Sequence, residues 1–91
     1  MVFERHRFWT REQLEGEAVD KWIKDLRTIT ASCEYGDGEQ DMLRDRIAFG
    51  YRDQKVKERM LREPSLTLAK TLEICRAAEA TKFQLREMSN A

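Results

Sequence analysis

The sequence has little of the residue types that most often build active sites and metal sites. Its 91 residues include one histidine and two cysteines, and His6, Cys33 and Cys75 show none of the spacings typical of metal ligands. A catalytic histidine also needs a side chain that positions it, and the sequence indicates none near His6. We therefore expect a protein that is not an enzyme and that holds no metal ion or cofactor.

Net charge and long apolar runs are also absent. Seventeen basic residues balance 17 acidic ones, so the chain has no overall attraction to nucleic acid or to an anionic membrane. No run approaches the roughly 18 apolar residues of a membrane span, and the N-terminal segment is too charged for a secretory signal. We expect a cytoplasmic protein with two reduced, half-buried thiols, and leave open a disulfide between Cys33 and Cys75.

Proline and glycine are scarce, with one proline and four glycines, which suits a helical domain. Apolar residues recur three and four positions apart in segments 17–32, 38–49, 53–63 and 67–80, and strand-like alternation does not occur. Residues 3–11 fit a short helix or an extended arm. These patterns predict one all-α domain, a compact bundle of four to five short helices.

Several residues are candidates for the helix boundaries. Asp37, with Gln40 as its reciprocal partner, is expected to cap the third helix, and Gly50 to form the glycine cap at its end. Asp53 and Thr67 are expected to cap the fourth and fifth helices, and the proline between them ends the fourth. We expect the last turns, within residues 81–91, to fray or to dock on a partner.

Basic residues are concentrated between positions 44 and 62, where acidic residues are interleaved with them. Helical spacing predicts that Glu58 pairs with Lys55 and with Arg62. We therefore interpret this region as a solvated face whose charges neutralise one another. Direct RNA binding by the basic helix 52–62 is the weaker alternative, since RNA-binding surfaces usually carry a surplus of positive charge.

The most informative pattern is QLEGEAVDKWIKDL, residues 13–26. Its first part is a polar turn that can hydrogen-bond to the start of a helix, and Glu17 suits the positive end of that helix dipole. The second part places apolar residues three and four positions apart, which is one face of an amphipathic helix. The members of this face are Val19, Trp22, Ile23, Leu26 and Ile29.

This pattern resembles the major homology region of retroviral and retrotransposon Gag capsid proteins. The matching residues are Gln13, Gly16, Glu17, Val19, Trp22, Ile23 and Leu26. From about residue 3 to 83 the chain is similar to the Ty3/gypsy type, most specifically over LRDRIAFGYRDQKVKERMLREPSLTLAKTLEICRAAEA. The resemblance implies the all-helical C-terminal lobe of a capsid protein, which is similar to the corresponding lobe of the neuronal Arc protein and to SCAN dimerisation domains.

The resemblance implies a function in assembly. Gag subunits would self-associate through this lobe, as homodimers or higher oligomers, into intracellular capsid-like particles. An N-terminal capsid lobe would be a further partner, and RNA would be bound only through other Gag regions. The alternative is a domesticated host protein whose domain dimerises or binds peptides or partner helices.

The resemblance also divides the chain. Residues 1–12 would be the linker between capsid lobes or a first helix, residues 13–80 the core of the lobe, and residues 81–91 the end of its last helix. We expect the chain to be an excised lobe, with Met1 a start introduced for expression.

The resemblance assigns structural roles to the polar turn. Gln13 and Glu17 would brace the turn against neighbouring helices. Two positions depart from the retroviral pattern, because a leucine instead of a glycine follows the glutamine directly and Asp25 stands where an arginine is usual. We therefore expect the polar network to be rewired, with Lys24 or Arg27 as its cation.

The contact surface is predicted by analogy. Retroviral relatives associate through the helix that follows the major homology helix, which makes Met42 and Phe49 the apolar candidates here. Trp9 lies outside a clean helical pattern, and an exposed tryptophan could anchor a neighbouring domain or chain. Trp9, Met42 and Phe49 are therefore the candidate interface residues.

Overall fold

Helices dominate the computed structural model, which describes residues 1–89. Over that range the structure is 75% helical and contains no strand, which confirms the prediction of an all-α bundle with four to five helices. A 3-10 turn, Gly36–Gly38, precedes the third helix. The helices are α1 (Val2–Thr10), α2 (Val19–Thr30), α3 (Glu39–Gly50), α4 (Gln54–Arg62) and α5 (Leu68–Ser89).

The apolar face of α2 lies at the centre of the core. Trp22 and Leu26 are completely buried, and Ile23 is 3% exposed. Helix α2 packs against α1, α3 and α5, while α4 packs against α3 and α5. The other helices contribute large buried side chains to the same core, namely Phe8 from α1, Leu43 and Ile47 from α3, Met60 from α4, and Ile74 from α5.

Two of the predicted helix caps are confirmed. The backbone amide of Lys55 donates to Oδ1 of Asp53 over 2.9 Å, and that of Lys70 donates to Oγ1 of Thr67 over 3.1 Å. The prediction for α3 was wrong. Asp37 lies inside the 3-10 turn, so Gly38 occupies the cap position, and none of the side chains in residues 1–89 caps this helix.

Gly50 is the last residue of α3, so the prediction of a glycine cap beyond the helix was also wrong. The residue at the cap position is Tyr51, which is extended, and the described glycines with positive φ are Gly16 and Gly36. A Cβ atom on Gly50 would lie 2.8 Å from Nη2 of Arg46 and 3.0 Å from Cζ2 of Trp22. Close packing, and not backbone conformation, therefore favours glycine at this position.

We expect Gly50→Ala to lower the free energy of unfolding by about 1–2 kcal/mol, because the added methyl overpacks two buried side chains. Gly38→Ala is the matched control, since within residues 1–89 a Cβ atom there would have no heavy atom within 4 Å apart from its chain neighbours. Urea denaturation followed by circular dichroism measures both changes. A loss for the Gly38 variant as large as that for the Gly50 variant would contradict the packing argument.

Helix α5 extends beyond the rest of the molecule. It is 22 residues long, and the longest dimension of the molecule is 49 Å. Residues 80–89 are all exposed, with Phe83 at 60% and Met88 at 73%. The helix continues to Ser89, and residues 90–91 lie outside the described part. Fraying of the last turns and docking of this end on a partner stay predictions.

Both cysteines are buried inside the core and are free. They were expected to be half-buried, but the helices enclose both of them fully. Helices α1 and α2 pack around Cys33, and α4 packs against α5 around Cys75. Burial raises the pKa of Cys75 to about 12, and its sulfur lies 3.7 Å from that of Met60. A thiol in this state behaves as an apolar core residue. None of the described helices has the length and apolar character that a bilayer crossing needs.

Candidate functional site

Gln13 joins the polar turn before α2 to the junction between α3 and α4. Its backbone amide donates to the carbonyl of Gly50, and its side-chain oxygen accepts from the amide of Arg52, both over 3.0 Å. Its side-chain nitrogen donates to the carbonyl of Glu17 over 3.0 Å. Gly16 closes the turn at φ +75°, a conformation that glycine adopts without steric cost. Gln13 thus holds the turn before α2 against the end of α3 and against the segment that leads into α4.

Glu17 is the most enclosed charge of the turn, with a side chain that is 3% exposed. Its carboxylate accepts hydrogen bonds from the amide of Leu14, over 3.0 Å, and from Nη2 of Arg11. Nε of Arg11 donates to Oδ2 of Asp25 over 2.8 Å. The guanidinium group of Arg11 therefore bridges two carboxylates, one before α2 and one within it.

Arg11 corrects the prediction that Lys24 or Arg27 supplies the cation of this network. In residues 1–89 neither forms an ion pair with the turn, because both lie on exposed positions of α2. Arg11 follows α1 directly, and the packing of α1 on α2 carries its side chain to the turn. No local spacing in the sequence indicates this contact.

The pKa values of this network reflect the ion pair. The hydrogen bond from Arg11 lowers the pKa of Glu17, and the Leu14 amide adds to the effect against the opposing influence of burial. Glu17 and Asp25 in turn raise the pKa of Arg11. Both groups stay ionised near neutral pH. An ion pair that braces the fold needs two charged groups, whereas a general acid or base needs a pKa near the working pH.

The carboxylate at the start of α2 comes from α5. Glu17 was expected to face the positive end of the α2 dipole. Helix α2 begins at Val19, however, and the amide of Val19 donates to Oε2 of Glu79 over 2.7 Å. A second contact joins the same helices, since Nε of Arg76 lies 2.9 Å from Oδ1 of Asp20. Sequence reasoning missed Glu79 because 60 residues separate it from its partner.

Two of the candidate interface residues share one side of α3, and the third is joined to that helix through Arg46. Met42, Arg46 and Phe49 recur at i, i+4 and i+7, so they share one side of α3. Nη1 of Arg46 donates to the carbonyl of Trp9, and its guanidinium carbon lies 5.9 Å from the centre of the Trp9 indole ring. We call Trp9, Met42 and Phe49 together the Trp9–Phe49 surface.

The aromatic residues of the Trp9–Phe49 surface are partly exposed but held in place. Phe49 is 49% exposed and Trp9 37%, while Met42 packs partly against the core. The indole nitrogen of Trp9 donates to the hydroxyl of Tyr35 over 2.9 Å. Arg46, which fixes Trp9, is itself 6% exposed, and burial lowers its pKa. Such fixed aromatic side chains lose little conformational entropy on binding.

The predicted neutralisation of the basic cluster was wrong for α4. Arg44 pairs with Asp45 over 2.9 Å, but within residues 1–89 Glu58 forms no ion pair within 4.0 Å with Lys55 or Arg62. Pairs between fully exposed side chains gain little energy and cost side-chain entropy. The cations of α4 are therefore not neutralised within the helix.

Among residues 1–89, no group of three His, Cys, Asp or Glu side chains is arranged to hold a metal ion. An open cleft of about 270 Å³ lies beside Gln13, and long polar side chains such as Glu12, Gln54 and Lys57 line it. Within residues 1–89, Lys57 forms no ion pair with Glu12, the carboxylate of this lining.

Comparisons with known proteins leave the family open. No protein-family model, curated protein or solved structure matches this chain. The resemblance to capsid lobes thus stays a prediction from the residues of the sequence motif.

Proposed function

We propose that this chain is a self-association module of the kind found in the C-terminal lobes of Gag capsid proteins. Copies of the chain would meet through the Trp9–Phe49 surface and contribute to capsid-like particles in the cytoplasm. An N-terminal capsid lobe is the proposed further partner, and RNA would be bound by other regions of Gag.

The Trp9–Phe49 surface is the observation that carries this proposal. Large aromatic side chains from two helices are left partly exposed there, next to an arginine that ties the helices together. Aromatic residues and arginine dominate the energy of many protein interfaces. Burial of one such side chain contributes about 1.5–3 kcal/mol, so a few contacts give a weak but specific dimer.

The polar turn supports the same proposal. The hydrogen bonds of Gln13 and the ion pair of Glu17 are directed at neighbouring segments of the same chain. Their role is to hold the helices in a fixed relative position, which keeps the exposed surface in one shape. Weak pairwise association suffices for a particle, because each subunit in a lattice makes several contacts at once.

We expect Phe49→Ser and Trp9→Ala each to raise the dissociation constant of self-association at least about tenfold, which is the loss of about 1.4 kcal/mol or more. Sedimentation equilibrium over a concentration series, up to about 1 mM, measures this constant. Phe83→Ser is the matched control, because Phe83 is similarly exposed and lies at the end of α5. A wild-type chain that stays monomeric throughout, or variants that associate unchanged, would contradict the proposal.

A further inference from the structure

Charge is unevenly distributed along this electrically neutral chain. Residues 34–41, which we call the acidic segment, contain four acidic residues and no basic one. They comprise the loop after α2, the 3-10 turn and the start of α3. Residues 52–62, by contrast, contain five basic residues and two acidic ones, and most of them belong to α4.

The basic residues of α4 form a stripe. Lys55, Arg59 and Arg62 recur at i, i+4 and i+7, which places them on one side of the helix, and all three are exposed. The described part of the chain offers none of them an ion-pair partner within 4.0 Å. We call these three residues the basic stripe.

The acidic segment is similarly uncompensated. Glu34, Asp37 and Glu39 are exposed, and within residues 1–89 they form no ion pair. Asp41 is the exception, with Nη1 of Arg44 at 3.5 Å from its carboxylate. No ion pair in residues 1–89 joins the acidic segment to α4. Each surface therefore presents charge to solvent that another molecule could neutralise.

We propose that the acidic segment of one copy binds the basic stripe of another copy. This contact rests on the proposed function and adds a second interface to the Trp9–Phe49 surface. A single self-complementary surface closes a dimer and then stops, whereas a second contact between unlike surfaces lets dimers join into larger assemblies. The two charged surfaces supply such a pair.

Charge complementarity favours a second copy of this chain over RNA as the occupant of the basic stripe. RNA phosphates would be attracted to the stripe, but the acidic segment of the same lobe would repel them, and net charge provides no surplus. Each contact between two copies pairs the basic stripe of one with the acidic segment of the other, so further copies supply the counterpart that each charged surface lacks. Further copies are also available as partners wherever the chain is present, and at the same concentration.

The contact is expected to be weak and sensitive to salt. Exposed ion pairs are individually weak, and the screening length shrinks from about 14 Å at about 50 mM salt to about 4 Å at about 500 mM. Assembly beyond the dimer should thus occur at the lower salt concentration and disappear at the higher one. Association through the apolar surface should persist at both.

Charge reversal tests the contact directly. In about 50 mM NaCl we expect the wild-type chain to sediment as species larger than a dimer as its concentration rises. Reversing either surface alone should leave only the dimer. Reversing both in one chain restores complementarity as well as zero net charge, and should restore the larger species. The two single-surface variants are K55E/R59E/R62E and E34K/D37K/E39K.

A control variant separates a specific contact from general electrostatic attraction. It combines the reversed basic stripe with three reversals outside the acidic segment, E15K, E73K and E87K, and it also has zero net charge. It should stay dimeric. Circular dichroism of every variant verifies that the helices are retained.

Four outcomes would overturn the inference. The first two are a wild-type chain that stops at the dimer and single-surface variants that assemble like the wild type. The other two are a double reversal that fails to recover species larger than a dimer and a control variant that forms such species. RNA is tested by gel shift, and loss of RNA binding in K55E/R59E/R62E with unchanged assembly would assign the stripe to RNA instead. A wild-type chain that stays monomeric at every concentration would contradict the proposed function as well as this inference. A wild-type chain that stops at the dimer would contradict this inference alone, so the two failures can be distinguished.

Discussion

Replacement of Trp22 by alanine is expected to lower the free energy of unfolding by about 3–5 kcal/mol, the largest effect of any substitution considered. Trp22 is completely buried in the middle of α2. Its ring lies 6.3 Å from that of Tyr51 and beside the backbone of Gly50. Domains of this size are stable by only about 5–15 kcal/mol, so alanine would leave a barely folded chain. Urea denaturation followed by circular dichroism measures the loss.

Trp9→Ala is the matched control for this experiment, because Trp9 lies at the surface and is 37% exposed. We expect it to lose about 1 kcal/mol of stability while it weakens self-association, whereas Trp22 should act through folding. Equal losses of stability in the two variants would show that α2 is not the centre of the core.

Trp22→Phe refines the same prediction. The indole nitrogen of Trp22 is buried and has no hydrogen-bond partner in the described part of the molecule. Phenylalanine keeps most of the buried apolar surface and removes this unsatisfied donor. We therefore expect the phenylalanine variant to be clearly more stable than the alanine variant. A phenylalanine variant as unstable as the alanine variant would argue against this assignment of the indole nitrogen.

Glu17→Gln is expected to lower the free energy of unfolding by about 2 kcal/mol at pH 7, because it removes the charged acceptor of hydrogen bonds from Arg11 and Leu14. The loss should depend on pH. The pKa of Glu17 is lowered from its ordinary value of 4.5, with the Arg11 hydrogen bond as the main cause. The stability that this carboxylate contributes is therefore fully present above pH 4.5 and is lost as the pH falls through its lower pKa in the folded protein.

The measurement is urea denaturation between about pH 7 and pH 3. Wild-type stability should decline towards acid more steeply than that of the Glu17→Gln variant, so that the two curves converge. Glu58→Gln is the control, since residues 1–89 give Glu58 no ion pair, and its curve should follow that of the wild type. A constant difference between Glu17→Gln and the wild type at every pH would exclude the lowered pKa as the cause.

Much of the helical architecture could be predicted from the sequence, because its signals are local. The spacing of apolar residues and the candidate caps predicted both ends of α2, α3 and α4 and the start of α5 to within about two residues. The last helix was expected to continue into residues 81–91, and the structure has it as far as Ser89. Asp53 and Thr67 were identified as caps because a cap acts on amides two or three residues away. The two failures near α3 have a different origin, since a 3-10 turn displaced Asp37 and tertiary packing enclosed Gly50.

The candidate site was less accessible to sequence reasoning. Gln13 and Glu17 were identified as residues of a bracing turn, but their partners depend on which distant segments the fold places beside that turn. Arg11 was not identified as the cation, nor Glu79 as the carboxylate at the start of α2. A hydrogen bond across 60 residues leaves no periodic signal in a single sequence.

The sequence by itself determined the helical class, the apolar face that runs through α2 and the uneven distribution of charge. These properties depend on residue type and on spacing within a few turns of helix. Only the tertiary structure decided which cation pairs with Glu17, why position 50 favours glycine and which aromatic residues stay exposed. Those outcomes depend on how whole helices pack, because an ion pair or a close contact forms only between groups that the fold brings within a few ångströms of each other.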